Sequence, residues 1–439
     1  MLDGAVAAAC EEALARWSVP GAAIGVLSDG ETTTGAFGVL DVGSAEPVAA
    51  ESTFRIASIT KPFTANLALS LALSGRVGFD EDVPGPVPGV TVAHLLAHAG
   101  GFEGEHGDLA RFGEGDDALP RLVAELGDQR ALVPPGQVWS YCNAGYWLLG
   151  QFLAERAGST YEAALEDSVI RPLGLARTGF GSPEASGHEP VAPGGSRLEL
   201  VPDSYPRARR ASGGLVSNID DLLSFAWAQL ETAEAAALRV PVVETPHGVY
   251  GLGFELQRVG ELELWGHPGD YGGFVSRLVL APERGFAFAG LTNSERGGVA
   301  LEEILDTVLE LVLGVRRVQP PTVPLPAAEL ELLAGRYGHD ELELELRAEG
   351  DRLAVDAVEI DRVSGVRRPQ PPRSARSLGS RLFALEGAEW ERSRFDFHPH
   401  VGEPRFVRLG SRLAPRLAPP ERDPDAGAER GHDGLLRRG

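Results

Sequence analysis

The sequence predicts an α/β protein of the α+β kind: one antiparallel sheet assembled from distant segments, a helical lobe beside it, and a small β-rich domain after it. Three observations predict this. Strand-like patterns occur near both ends of residues 1–318, with helical spacing between them. A run holding four prolines, residues 319–326, interrupts the chain. Beyond it, period-two alternation dominates, as in Leu342-Glu343-Leu344-Glu345-Leu346.

Taken in order, residues 3–17 carry apolar positions at helical spacing, and residues 21–27 and 32–40 read as two strands around Ser28-Asp29-Gly30. Residues 60–73, rich in Ala and Leu with Pro62 in the first turn, predict a helix that starts just after Ser58. Residues 92–230 read as mostly helical, with Gly- and Pro-rich connections and helical stretches at 91–98, 141–157 and 219–230. From Tyr250 a meander is expected at 251–259, 261–266, 274–280 and 286–291, closed by a helix at 302–313. The division that follows is a first domain over 1–318, a linker over 319–328, a β-rich domain over 329–418 with strands in 333–358, 381–385 and 405–409, and a disordered tail over 419–439. The tail is charged, Gly-rich and free of aromatic residues.

With 439 residues of which 43% are apolar, the chain can bury a sizeable core. A formal charge of −23 excludes a nucleic-acid footprint, since a phosphate backbone must be met by clustered cations. No segment approaches the roughly 20 apolar residues of a membrane span, and the start Met1-Leu2-Asp3-Gly4 lacks the basic region of a secretory signal. Cys10 and Cys142 cannot build a disulfide framework. A cytoplasmic chain with no membrane partner is expected.

The sharpest compositional fact is that the 40 basic residues include a single lysine, Lys61. Arginine serves surface ion pairs equally well but does not give up its proton at neutral pH, whereas an amine can be tuned to do so. Ser58-Ile59-Thr60-Lys61 places a hydroxyl and that amine three residues apart, on one face of a helix. A serine hydroxyl is a poor nucleophile until a neighbour accepts its proton. The unpaired N–H groups of a helix start add stabilisation for a developing oxyanion.

Residues 54–61, Phe-Arg-Ile-Ala-Ser-Ile-Thr-Lys, resemble the nucleophile segment of the class C β-lactamase, carboxyesterase and D-peptidase group; Ser-x-x-Lys is an established signature of β-lactamases and penicillin-binding proteins. Tyr141-Cys142-Asn143 resembles that family's Tyr-x-Asn element, and His267-Pro268-Gly269 resembles its Lys-Thr-Gly strand in a His-x-Gly form. The resemblance spans residues 5–315 and implies a β-lactamase/transpeptidase-like fold. It also implies roles: Ser58 as nucleophile, Lys61 as proton acceptor, Tyr141 as relay to the leaving group, and Asn143 orienting Lys61 and a substrate carbonyl. Gly269 would let the backbone approach substrate, and the N–H groups of Ser58 and Asp270 would form the oxyanion hole.

His267 replaces a lysine of many relatives, so activity should follow an imidazole that changes charge within the assay range. Asp270 follows the His-x-Gly element where relatives often carry a small neutral residue, and its charge would oppose an oxyanion unless the side chain turns away. His94 and His98 have the spacing of a metal pair but no carboxylate companion, and are read as structural. The expected reaction is hydrolysis of a small-molecule ester, amide or peptide through an acyl-serine, with no metal or organic cofactor. Esterase or D-peptidase-like activity comes first and β-lactamase activity is the alternative. The rival from another class is a catalytically silent ligand-binding or regulatory module, against which the intact Ser58, Lys61 and Tyr141 argue.

Overall fold

The computed structural model describes residues 1–102, 107–191, 195, 197–361, 363–387 and 393–418. The expected disordered tail at 419–439 lies outside the described residues. The first sheet has eight strands, all antiparallel, in the spatial order Glu31–Gly38, Gly21–Ser28, Phe286–Thr292, Phe274–Ala281, Leu262–Tyr271, Glu255–Val259, Gly248–Tyr250 and Val243–Thr245. Its N-terminal hairpin pairs with a strand some 265 residues later, Ala22 opposite Thr292 and Leu27 opposite Ala287.

The central strands are buried on both faces, which is why they read as near-continuous apolar runs. In Phe286–Thr292, Phe286 and Phe288 join a core with the helices Gly4–Arg16 and Gly297–Leu313. The alternate residues Ala287, Ala289 and Leu291 join a larger core with the helical lobe, including Leu222, Leu223 and Phe225 of the helix Ile219–Glu231. Within that lobe the helix Thr60–Leu73 is apolar nearly all round, with ten of its residues buried, so it runs through the core.

Several expected boundaries shift for physical reasons. The strand expected at 251–259 begins only at Glu255, because residues 251–254 form a turn in which the Gly251 N–H donates to the Phe254 carbonyl. The strand expected at 261–266 continues to Tyr271, straight through His267-Pro268-Gly269. The final helix begins at Gly297 and not at 302. Residues 327 and 328, read as linker, already belong to the helix Ala327–Leu333.

The C-terminal part is a nine-stranded antiparallel meander from Gly335 to Pro415, richer in strands than the sequence suggested. Its first and last strands meet: Tyr337 bridges Arg416, and the Leu417 N–H donates to the Arg336 carbonyl at 2.8 Å. The meander therefore closes into a barrel around Tyr337, Leu353, Phe383, Phe395 and Phe397.

Candidate active site

Ser58 sits in a 3-10 turn, Ala57–Ile59, that feeds the helix Thr60–Leu73. Ala57 holds φ at +44°, a left-handed conformation uncommon outside glycine that marks a strained turn. The turn is pinned from outside: the Ile56 N–H donates to the Leu215 carbonyl at 3.1 Å, and the Ser276 hydroxyl donates to the Ile56 carbonyl at 2.8 Å. Lys61, fully buried one turn later, donates to Ser58 Oγ at 3.0 Å and to the Ser212 carbonyl at 2.7 Å. Its Nζ also lies over the rings of Tyr141 and Tyr146, at 4.7 and 5.3 Å. Tyr141 Oη donates to Ser58 Oγ at 2.8 Å. Three residues that the sequence spreads over 84 positions thus meet at one hydroxyl, and either Nζ or Oη is close enough to take its proton.

Tyr141 is held by groups the sequence reading did not assign to the site. Its ring lies 4.2 Å from that of His98, which is buried and has φ of +54°. His98 Nδ1 accepts from the Cys142 N–H at 3.0 Å, so the other ring nitrogen carries the hydrogen. Burial first, then the nearby Lys61 charge, pushes the His98 pKa well below its usual value and keeps the ring neutral. His94 accepts from the Thr91 N–H in a capping box. Asn143 opens the helix Asn143–Ala157, is buried and lines the cleft beside Ser58. Ser212 enters the site through its backbone carbonyl, a contact that only the fold provides.

His267, Gly269 and Asp270 occupy the end of the strand Leu262–Tyr271. The neighbouring strand Glu255–Val259 stops pairing at Gly266, so the edge from His267 onward is open on that side. A two-residue turn, Gly272-Gly273 with φ of +58° and +74°, joins Tyr271 to Phe274. In such a hairpin the closing pair exchanges hydrogen bonds and the next pair does not, so the Asp270 N–H points away from its partner strand, to the open edge. Pro268, two residues on, also falls at a position where no ladder donor is needed. Gly269 is required by contact: a Cβ there would lie 2.2 Å from the Ile56 carbonyl oxygen. The edge therefore presses against the nucleophile turn.

The charge state of His267 differs from the expectation. Burial, with the Lys61 charge second, pushes its pKa down to about 3, so it is neutral throughout an ordinary assay range. Nδ1 bonds to the Pro268 carbonyl, and Nε2 has no hydrogen-bond partner among the described residues. Asp270 alternates to the opposite face from His267 and Gly269. There burial, then the charges of Glu295 and Glu189, raise its pKa to about 7, although the side chain keeps contact with solvent.

These groups line a cleft of about 610 Å³ whose far wall comes from the C-terminal barrel, through Glu341 and the hairpin tip Gly410-Ser411-Arg412. The Tyr141 N–H donates to the Ser411 carbonyl at 2.8 Å, and the Leu413 N–H to Ser140 Oγ at 3.2 Å. Arg408 clamps the hairpin's base: buried, it forms a two-pronged pair with Asp396 at 2.9 and 2.6 Å and donates to the carbonyls of Trp139 and Glu244 at 2.9 and 3.1 Å.

Known proteins are similar to this chain in sequence and fold. The beta-lactamase family model matches residues 6–312. Penicillin-binding protein 4 of Amycolatopsis lactamdurans is 32% identical over 360 residues, covering 73% of this chain and 93% of its own. A D-aminopeptidase of Gluconobacter oxydans is 27% identical, covering 70% of this chain and 62% of its own. The crystal structure of SurE superposes with a TM-score of 0.76 at 28% identity, over 94% of this chain and 98% of that one, and its structure with D-Leu does so with 0.74 at 26%, over 94% and 99%. Among the described residues no helix is long and apolar enough to cross a membrane. The chain belongs to the beta-lactamase family of serine hydrolases.

Proposed function

We propose that the protein hydrolyses an amide or ester next to a D-configured residue through an acyl-Ser58 intermediate, a reading carried by the convergence of Lys61 Nζ and Tyr141 Oη on Ser58 Oγ. Ser58 Oγ attacks the substrate carbonyl while its proton passes to Tyr141 or Lys61. The N–H groups of Ser58 and Asp270 receive the oxyanion. As the C–N or C–O bond breaks, the same relay returns the proton to the leaving group, and water then hydrolyses the acyl-serine by the reverse path. Lys61 keeps its place through the Ser212 carbonyl, and Asn143 orients the substrate carbonyl.

The D preference is supported by the name of the D-aminopeptidase relative and by the D-Leu in the SurE structure. The cleft supports it less directly. With His267 neutral, positive charge for a substrate carboxylate falls to Arg209, which lies 4.9 and 5.0 Å from the rings of Tyr205 and Tyr271, and to Arg412, which pairs with Glu341. A β-lactam, whose carboxylate would meet His267 in this family's arrangement, is disfavoured.

The test compares p-nitrophenyl acetate with the p-nitroanilides of D- and L-alanine. Wild type is expected to cleave the ester and to prefer the D-anilide at least tenfold, and Ser58→Ala to lose about 10³-fold or more on both. Activity retained in Ser58→Ala removes the nucleophile assignment. Equal D and L rates remove the stereochemical reading alone.

A further inference from the structure

The C-terminal barrel carries a second cluster of chemically capable side chains, away from Ser58. In the strand Arg394–His398 the alternate residues Phe395 and Phe397 fill the barrel core, so Asp396 and His398 project from its outer face. His400 follows in the next turn and is exposed. One donor atom from each of Asp396, His398 and His400 can be chosen so that all three lie within 4.8 Å of one another. His398 Nε2 stands 3.3 Å from Asp396 Oδ2, and among the described residues that buried nitrogen has no hydrogen bond of full geometry. The imidazoles of His398 and His400 are 4.4 Å apart between centroids.

We propose that Asp396, His398 and His400 form a binding site for a divalent cation of the Zn²⁺ class. Two nitrogens and one carboxylate oxygen are the donor set that such borderline ions take. With metal–ligand bonds of about 2.1 Å in a tetrahedral arrangement, two donors lie about 3.4 Å apart, close to the His398–Asp396 separation. His400 closes the remaining gap by turning its exposed ring. Arg408 does not compete for the ion's place, because a carboxylate oxygen has two lone pairs. Its guanidinium bonds of 2.9 and 2.6 Å to Asp396 make it the outer group that orients a metal-bound carboxylate. Three protein donors leave a coordination position open to water.

The site's place gives it a consequence. The Asp396–Arg408 pair holds the Trp139 carbonyl, two residues from Tyr141, so an ion there fastens the barrel onto the segment that carries the tyrosine.

The test uses untagged full-length protein stripped with chelator and titrated calorimetrically with ZnCl₂, in parallel with His398→Ala and His400→Ala. Wild type is expected to bind one equivalent with a micromolar dissociation constant and to gain melting temperature with Zn²⁺. Both variants should lose at least tenfold in affinity and the thermal gain. His400→Ala, being at an exposed position outside the cleft, should keep the metal-free melting temperature and ester hydrolysis, so that its loss of binding is not misfolding. Visible d–d absorption on adding Co²⁺ should appear in wild type and vanish in His400→Ala. Absence of stoichiometric binding by wild type, or equal binding by wild type and both variants, overturns the proposal.

Discussion

The two walls of the cleft are built on different physics. On one side stands the sheet edge His267–Asp270, where backbone register does the positioning: a glycine pair sets the hairpin, the hairpin turns the Asp270 N–H outward, and Gly269 lets the edge approach Ile56. On the other stands the barrel hairpin Gly410–Arg412, held by the buried Arg408 clamp and the Ser411–Tyr141 bond. The first wall can hardly vary without losing the fold. The second depends on a few contacts between separate parts of the molecule, so it can change while the Ser58 cluster stays intact. We infer from this difference that the sheet wall serves the chemistry and the barrel wall substrate selection.

The largest expected effect lies at the shared floor. Lys61→Arg keeps the charge but removes a group able to accept a proton, and it forces a longer side chain into a fully buried position. A fall in kcat/KM of about 10²- to 10⁴-fold on p-nitrophenyl acetate is expected. Near-normal turnover would show that Tyr141 works without a titratable amine.

The next effect tests the barrel wall. Arg408→Gln strips the buried Asp396 of its main partner and should cost about 3 kcal/mol of stability in chemical denaturation, with part recovered in Arg408→Gln/Asp396→Asn. Burial alone would raise the Asp396 pKa, but His398 and Arg408 outweigh it and hold the carboxyl below its ordinary range. Its stabilisation is thus present above the unfolded-state pKa and is lost as pH falls toward the folded one. Because Arg408 seats the hairpin, the variant should change the ratio of kcat/KM between large and small substrates more than kcat on a small ester. An unchanged ratio would sever the barrel from selection.

The smallest effect concerns the sheet wall. With its pKa at about 7, Asp270 is mostly neutral below that pH and becomes an anion as pH rises through it, next to the N–H proposed to receive the oxyanion. Asp270→Asn should therefore raise kcat/KM a few-fold at pH 8 and little at pH 6. His267, held neutral by burial, contributes no inflection between pH 5 and 9. Parallel profiles for wild type and Asp270→Asn would place the carboxylate outside the field of the reaction.

Much of this site was legible beforehand because its local geometry is written at short range. Ser58 and Lys61 are three residues apart on helix-forming sequence, and Lys61 is the lone lysine among arginines. Tyr141 and His267 became legible only through family likeness, since nothing in their immediate neighbours states what they approach. The charge on His267 was misjudged for a related reason. An imidazole's pKa depends on how much water and which charges surround it, and its full burial beside Lys61 is set by elements from all over the fold.

By itself the sequence determined what depends on periodicity, turn chemistry and residue type: the buried strands, the nucleophile helix, the two-part layout and the reaction class. Tertiary structure alone decided what depends on contacts between residues hundreds of positions apart. His98 under Tyr141, the Ser212 carbonyl on Lys61 and the barrel hairpin bonded to the Tyr141 backbone are all of this kind. Each is a single hydrogen bond or ring contact that leaves no period in the chain. Only the closure of the sheet and barrel brings the partners within bonding distance.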